Sequence, residues 1–225
     1  MPHQNAALLV FDVNETLSDM GPLQDRFADI GVPPHAYRLW FASVLRDGFA
    51  LTASGAFADF PSVAREGMRV LLSSVPGWSG DIEEAADHVL DGFSRLEVHP
   101  DVPDGVRALR ERGLRLLTMT NGSSELSEGL LGRAGLADCF ERHLDVSGPR
   151  SWKPAPAAYQ YVVEQAGVRP EEAVLVAVHP WDVDGAQRAG LGGAWLRRGP
   201  VEYPQVMLPP THTVGNLREL AETLA

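Results

Sequence analysis

Four short apolar runs, each breaking at its carboxyl end into polar or turn residues, constrain this 225-residue chain more than any other feature. They are residues 6–13 (AALLVFDV), 114–120 (LRLLTMT, then Asn-Gly), 173–178 (AVLVAV, then His-Pro) and 193–196, just before Arg-Arg-Gly-Pro. Each is too short for a good helix and reads as a strand buried on both faces. Helical periods fill the intervals at 105–112, 127–134, 156–165, 185–189 and 216–224. Strands alternating with helices predict an α/β fold: a doubly wound parallel sheet with helices on both faces. Ligands of such sheets sit outside the carboxyl ends of the strands. Asp12, Thr120 with Asn121, and the residues after Val178 all lie at such ends, so three segments converge on one edge.

The stretch between the first two runs is far longer than an ordinary connection. Residues 37–51 and 62–72 carry amphipathic patterns, and 81–93 opens with an acidic first turn. Residues 19–98 therefore read as an inserted helical cap, and 1–18 with 99–225 as the core. Pro100, Pro103 and Asp104 mark the return, with Asp104 expected as a helix N-cap.

Charge narrows the partners. Nineteen basic against thirty acidic residues give a net charge of −11, which argues against nucleic acid and anionic membrane. A small anionic substrate stays open, because a few buried cations can set a local field of opposite sign. The single cysteine, Cys139, rules out an internal disulfide framework and a cysteine-rich zinc site. It is expected to be a small buried apolar residue leading into an edge strand. A reducing cytoplasm is the natural setting. The first residues lack a basic region, and their apolar run is interrupted at Asp12, so neither a signal peptide nor a membrane span is expected there.

Asp12 ends an apolar strand, where a carboxylate is costly unless paired or used. Its alternative is a turn cap, since Asn14, Glu15 and Thr16 follow. Lys153 in Ser-Trp-Lys-Pro reads, alone, as a surface lysine. Asp182 in His-Pro-Trp-Asp-Val-Asp-Gly reads, alone, as a helix N-terminal carboxylate, and Asp184 fits that role too. Together the three change meaning. A lysine between two carboxylates would keep both ionised, and an ionised, aimed carboxylate is a nucleophile.

Phe-Asp-Val-Asn-Glu-Thr-Leu (11–17), Thr-Asn-Gly (120–122), Trp-Lys-Pro (152–154) and Pro-Trp-Asp (180–182) resemble, in order and spacing, the four motifs of the haloacid dehalogenase superfamily. The likeness is greatest to the L-2-haloacid dehalogenase, or type II, branch. The resemblance implies a Rossmann-like core with a helical cap that closes over the site. It implies Asp12 as nucleophile, with Thr16 bonded beside it. Thr120 and Asn121 would bind the substrate carboxylate or the nucleophile loop, and Asn14 joins the substrate-binding candidates. Lys153 would balance the charge of Asp12. Tyr159 matches a tyrosine that the dehalogenases carry at the same offset. Asp182 would orient Lys153 and the hydrolytic water.

The implied reaction converts a short 2-haloacid to a 2-hydroxy acid through an aspartyl ester, with no cofactor and no metal. Phosphatases of the superfamily carry a second aspartate two residues after the nucleophile, here Asn14. They usually place a magnesium-binding aspartate five residues before the position of Asp182, here Ala177. Both differences favour substitution at carbon over phosphoryl transfer at magnesium. A phosphatase-like hydrolase for a small phosphorylated metabolite and a fold-retaining non-catalytic protein stay open. A homodimer is expected by analogy with the branch.

The chain departs from the branch at Glu15, where the dehalogenases usually have glycine, and at Ala177 and His179, where they have serine and asparagine. His179 would serve as a hydrogen-bond partner or as a base toward the ester-cleaving water; a loop histidine capping the next helix is the other reading. No clean match exists for the cap arginine of the branch; Arg38 and Arg46 are the candidates. Among the cap aromatics Trp40, Phe41, Phe49, Phe57 and Phe60, most are expected in a core.

Overall fold

The computed structural model describes residues 7–224. Ala6, the expected first residue of the first strand, lies outside them with the rest of residues 1–6. The chain divides into two compact units, one holding the chain up to Ser18 and from Glu97 onward, the other Asp19–Leu96.

The first unit is the expected α/β sheet. Its strands are β1 (Leu8–Phe11), β2 (Arg115–Thr120), β3 (Arg142–Asp145), β4 (Ala173–Ala177), β5 (Gly192–Leu196) and β6 (His212–Val214). They lie in the order β3-β2-β1-β4-β5-β6, and every pairing is parallel. All four residues of β1 are fully buried, as its unbroken apolar run requires at the centre of such a sheet. The strand order reverses between β1 and β4, so the crevice for a ligand opens beyond the carboxyl ends of these two strands. The edge strand expected after Cys139 is β3. Cys139 itself is only partly buried, packed against the core in a single 3-10 turn, Ala137–Cys139.

Helices cover both faces. The unit's helices are α5 (Val102–Glu111), α6 (Ser124–Arg133), α7 (Pro156–Ala166), α8 (Pro180–Arg188) and α9 (Leu217–Thr223). Val102, Val106 and Leu109 of α5 pack with Leu217 and Leu220 of α9 on Leu9, Phe11, Leu116, Val174 and Val176. On the opposite face α8 approaches β5 so closely that a Cβ on Gly193 would lie 2.7 Å from Val183. Asp104 is not the N-cap: α5 starts earlier, with Asp101 at the cap position and Pro103 inside the first turn, where the missing N–H has no intrahelical partner to lose. The same tolerance lets α8 begin at Pro180, five residues before the expected 185–189. Asp182 thus belongs to its first turn. The short strand β6 has no counterpart among the expected elements.

The second unit is helical: α1 (Leu23–Asp29), α2 (Ala36–Ala53), α3 (Phe60–Ser74) and α4 (Ile82–Ser94). The last two start on Asp59 and Asp81, whose carboxylates accept backbone N–H groups of the first turn. Trp40 is its centre, fully buried, with the rings of Phe27, Phe41 and Phe93 around it and its indole N–H donating to the Ala64 carbonyl at 3.0 Å. Phe41 and Phe60 are buried too; Phe49 and Phe57 are half-buried. Among the described residues no helix is long and apolar enough to cross a membrane.

Candidate active site

The site begins where β1 ends. Asp12 N–H still bonds the β4 ladder at the Val176 carbonyl, 3.1 Å away, which fixes the residue before the chain turns. Its carboxylate is buried and fully engaged. Lys153 Nζ donates to Oδ1 at 2.9 Å, and the Thr16 hydroxyl donates to Oδ2 at 2.7 Å. The Thr16 hydroxyl itself accepts the Val178 N–H at 3.1 Å. With its lone pair taken from that side, its proton is aimed at Asp12.

Lys153 is fully buried and bridges to Asp182, with Nζ 2.5 Å from Oδ2. The fully buried Tyr159 hydroxyl donates to the other oxygen of Asp182 at 2.6 Å. There is room for it because Gly185 has no side chain; a Cβ there would lie 2.7 Å from the Tyr159 oxygen. Both backbone groups of Lys153 are held by Asn121: the amide oxygen accepts its N–H at 2.8 Å, and the amide nitrogen donates to its carbonyl at 3.2 Å. Thr120 shapes the same turn by accepting the Gly122 N–H at 2.9 Å.

The charges do not settle symmetrically. Burial works to raise the Asp12 carboxyl, but the Lys153 ammonium, the His179 ring and the Thr16 hydroxyl outweigh it and hold it below its ordinary range. Asp182 goes the other way: its burial, with the Asp12 charge nearby, exceeds the help from Lys153 and pushes it up. One lysine thus acts on two carboxylates with opposite outcomes, and desolvation decides the difference. Lys153 loses by burial and gains more from its two carboxylates, so it is held above its ordinary value. Burial and Asp182 raise the Tyr159 phenol well above its own, which keeps it a donor.

His179 lies at the N-cap position of α8, yet its side chain makes no cap bond, so the capping role does not describe it. Its Nε2 instead lies 3.2 Å from the Asn14 carbonyl oxygen and 3.7 Å from Asp12 Oδ2. Two residues not singled out in the sequence complete the loop. His99 Nε2 lies 3.0 Å from the Glu15 carbonyl oxygen. Arg198 donates to the Thr16 carbonyl through Nε at 3.2 Å and Nη2 at 3.0 Å. Three successive carbonyls after β1 are thus each approached by a side chain from a distant segment. Arg198 had one sequence signal, its place just past the carboxyl end of β5; His99 had none.

Arg38 and Arg46 belong to the second unit. Arg38 donates to its neighbour's hydroxyl, Tyr37, at 3.1 Å and lies over that ring. Arg46 is exposed and pairs with Asp47 at 2.8 Å. Asp184 pairs with Arg188 and accepts the Leu208 N–H, outside the site.

Known proteins of the same design match most of this chain. The haloacetate dehalogenase H-2 of Moraxella sp. (strain B) is 32% identical over 143 residues, 64% of each chain. The (S)-2-haloacid dehalogenase 1 of Pseudomonas sp. (strain CBS-3) is 28% identical over 221 residues, 96% of this chain and 95% of that one. The L-2-haloacid dehalogenase from Xanthobacter autotrophicus, solved with chloropropionic acid covalently bound, superposes with a TM-score of 0.86 at 26% identity, covering 97% of this chain and 98% of that one. The profile of the haloacid dehalogenase-like hydrolases spans residues 7–190, and with that span, the parallel sheet and a buried aspartate at the end of its central strand, the chain belongs to this family.

Proposed function

We propose that this protein is a metal-independent 2-haloacid dehalogenase, converting a short 2-haloacid to a 2-hydroxy acid through an ester on Asp12. One observation carries the reading: Asp12 is a buried carboxylate held ionised by Lys153 and Thr16, next to a residue 14 that is asparagine and a residue 177 that is alanine. Asp12 attacks the carbon bearing the halide in line with the leaving group. Halide leaves without needing a proton, so Asn14 is no handicap where a phosphatase needs an acid. Water then attacks the carbonyl carbon of the ester, and the carboxylate is restored. Fixed donors and a fixed nucleophile supply the acceleration.

In this reading Lys153 balances Asp12, while Asp182, held by Tyr159, orients Lys153 and the water. Thr120 and Asn121 shape the wall that carries Lys153. Asn14 and Arg38 are assigned to substrate, and the helical unit to the cap that excludes water. A cytoplasmic homodimer acting on a small anionic substrate, without nucleic acid or membrane, completes the proposal.

The test is halide release from chloroacetate and from each enantiomer of 2-chloropropionate, with chelator present. The wild type is expected to release halide, and Asp12→Asn to lose at least about 10³-fold of that rate. A single turnover in heavy-oxygen water should label Asp12 before the product. Label appearing only in the hydroxy acid, or phosphate release that needs magnesium, would overturn the reading.

A further inference from the structure

The carbonyl of Thr16 takes two hydrogen bonds from a single side chain. Arg198 presents one edge of its guanidinium, Nε at 3.2 Å and Nη2 at 3.0 Å, to that oxygen. Its remaining arm, Nη1, donates to Asp101 Oδ1 at 2.8 Å. A planar fork engaged on both sides has little freedom left to turn. Its root is fixed as well, because the N–H of Arg197 donates to the Val214 carbonyl of β6 at 2.8 Å.

Asp101 stands at the N-cap position of α5, where an aspartate ordinarily accepts an N–H of the first turn. Its side chain makes no such bond. The carboxylate is turned elsewhere: Oδ1 meets Arg198, and Oδ2 accepts the Leu217 N–H at the start of α9, 3.3 Å away. Helix α9 comes that close because Gly105 has no side chain; a Cβ there would lie 2.3 Å from that of Leu217. The Arg198 and Asp101 side chains are only 21% and 24% exposed. A local cap has been given up for a partner 97 residues away.

What the pair holds leads to Asp12. The peptide between Thr16 and Leu17 is gripped at both ends: the Leu17 N–H donates to the Val13 carbonyl at 2.9 Å, and the Thr16 carbonyl accepts from Arg198. With that plane fixed, the fully buried Thr16 side chain keeps its hydroxyl 2.7 Å from Asp12 Oδ2. The same guanidinium ties two stretches of chain. Ser18 bridges Val98, and the His99 N–H donates to the Leu17 carbonyl at 2.8 Å. Residues 16–18 and 98–101 thus run as a tied pair, with Arg198 bonded to both.

We propose that Arg198 and Asp101 are positioning residues for the nucleophile, acting on the Asp12 carboxylate through the Thr16 peptide and the Thr16 hydroxyl. The inference rests on the dehalogenase reading and deepens it. Neither residue touches Asp12 or the reacting carbon. Asp101 sets the guanidinium, the guanidinium sets the Thr16 carbonyl, and the hydroxyl of the same residue sets the angle of Oδ2. Without the guanidinium that peptide is held at its N–H end alone, the hydroxyl drifts, and the carboxylate loses its aim at the carbon. A misplacement of about an ångström at this point costs roughly 10²-fold in rate. Substrate binding, which uses neither residue, is left as it was.

The test is a cycle between Arg198 and Thr16. Single-turnover halide release from 2-chloropropionate is followed over a range of excess enzyme, which separates the limiting rate from half-saturation. Arg198→Met is expected to lower the limiting rate by about 10²-fold with half-saturation little changed. Arg198→Lys keeps the charge but cannot grip both partners, so it should recover part of the loss, and Asp101→Asn should fall in the same intermediate range. In a Thr16→Val background there is no hydroxyl left to aim, so adding Arg198→Met should change the rate little; the two losses do not multiply. Should Arg198→Met fail to fold, Arg198→Lys carried into the same background decides. Losses that multiply, or a lower melting point with an unchanged limiting rate, overturn the assignment and leave Arg198 a support of the fold alone. A wild type that releases no halide overturns the dehalogenase reading itself, and this inference with it.

Discussion

The side-chain amide of Asn121 holds the backbone of Lys153 at both ends, accepting its N–H at 2.8 Å and donating to its carbonyl at 3.2 Å. The turn after β2 therefore sets where the ammonium stands, 32 residues further along the chain. Asn121→Ala leaves two buried backbone groups without these partners, at a cost of about 1–3 kcal/mol. A displacement of the ammonium by roughly an ångström is expected to lower kcat by about 10²-fold. Thermal denaturation and halide-release kinetics read the two effects separately.

Removing the lysine is a harsher experiment. Lys153→Met keeps the volume of the side chain but leaves Asp12 and Asp182 buried with no cation between them. The expected loss of stability is about 3–5 kcal/mol, seen as a lower midpoint in urea or heat. Halide release should be abolished even in the fraction that remains folded.

The pH dependence follows from the signs. Asp12 is held below 3.8, so its contribution to stability is present above that pH and is lost as pH falls through its folded value. Asp182 is raised, so its contribution declines as pH climbs from 3.8 through its folded value. Lys153 is held above 10.5, so its contribution is complete below that pH and disappears as pH rises through its folded value. Melting curves collected upward from pH 10.5 should show a fall in wild type that is smaller in Lys153→Met.

Tyr159→Phe deletes one O–H from a fully buried carboxylate. Asp182 loses a donor to its charged form, so its pKa is expected to climb further. The fold should weaken by about 1–3 kcal/mol, and kcat should fall with KM little changed. A carboxyl-resolved NMR titration or the pH profile of kcat would report the shift.

Glu15→Gly trades one cost for another. It relieves a left-handed backbone that burdens an L-residue by roughly 1–2 kcal/mol, while glycine loosens the unfolded chain by about 0.4–1 kcal/mol. The net expectation, read by thermal denaturation, is a melting point that is unchanged or slightly higher.

The residues that meet at the candidate site were legible because a parallel sheet delivers strand ends to one edge. Asp12 after β1, Thr120 and Asn121 after β2, and Asp182 just past β4 needed only the apolar runs to be placed. Other features left weaker traces. Strand β6 is three residues long, with only Val214 buried, so it has no alternation to detect. Helix α1 has seven residues, barely two turns. Pro180 reads as a breaker in one dimension and as a first-turn residue in three. The task of Asn121 toward Lys153 and the grip of His99 and Arg198 on the Glu15 and Thr16 carbonyls are tertiary, made by side chains whose spacing along the chain carries no period.

The carbonyls of Asn14, Glu15 and Thr16 lean on residues 179, 99 and 198, so the reactive loop cannot take its final shape from its own neighbourhood. It must wait until the crossover into β5 has been laid down and the segment beyond it has docked. In a sheet whose pairings are all non-local, such assembly is slow. Catalytic competence should thus be the last property to return after denaturation, trailing the recovery of tryptophan fluorescence. A chain ended before Arg198 would keep Asp12, Lys153 and Asp182 and lack part of the frame around them.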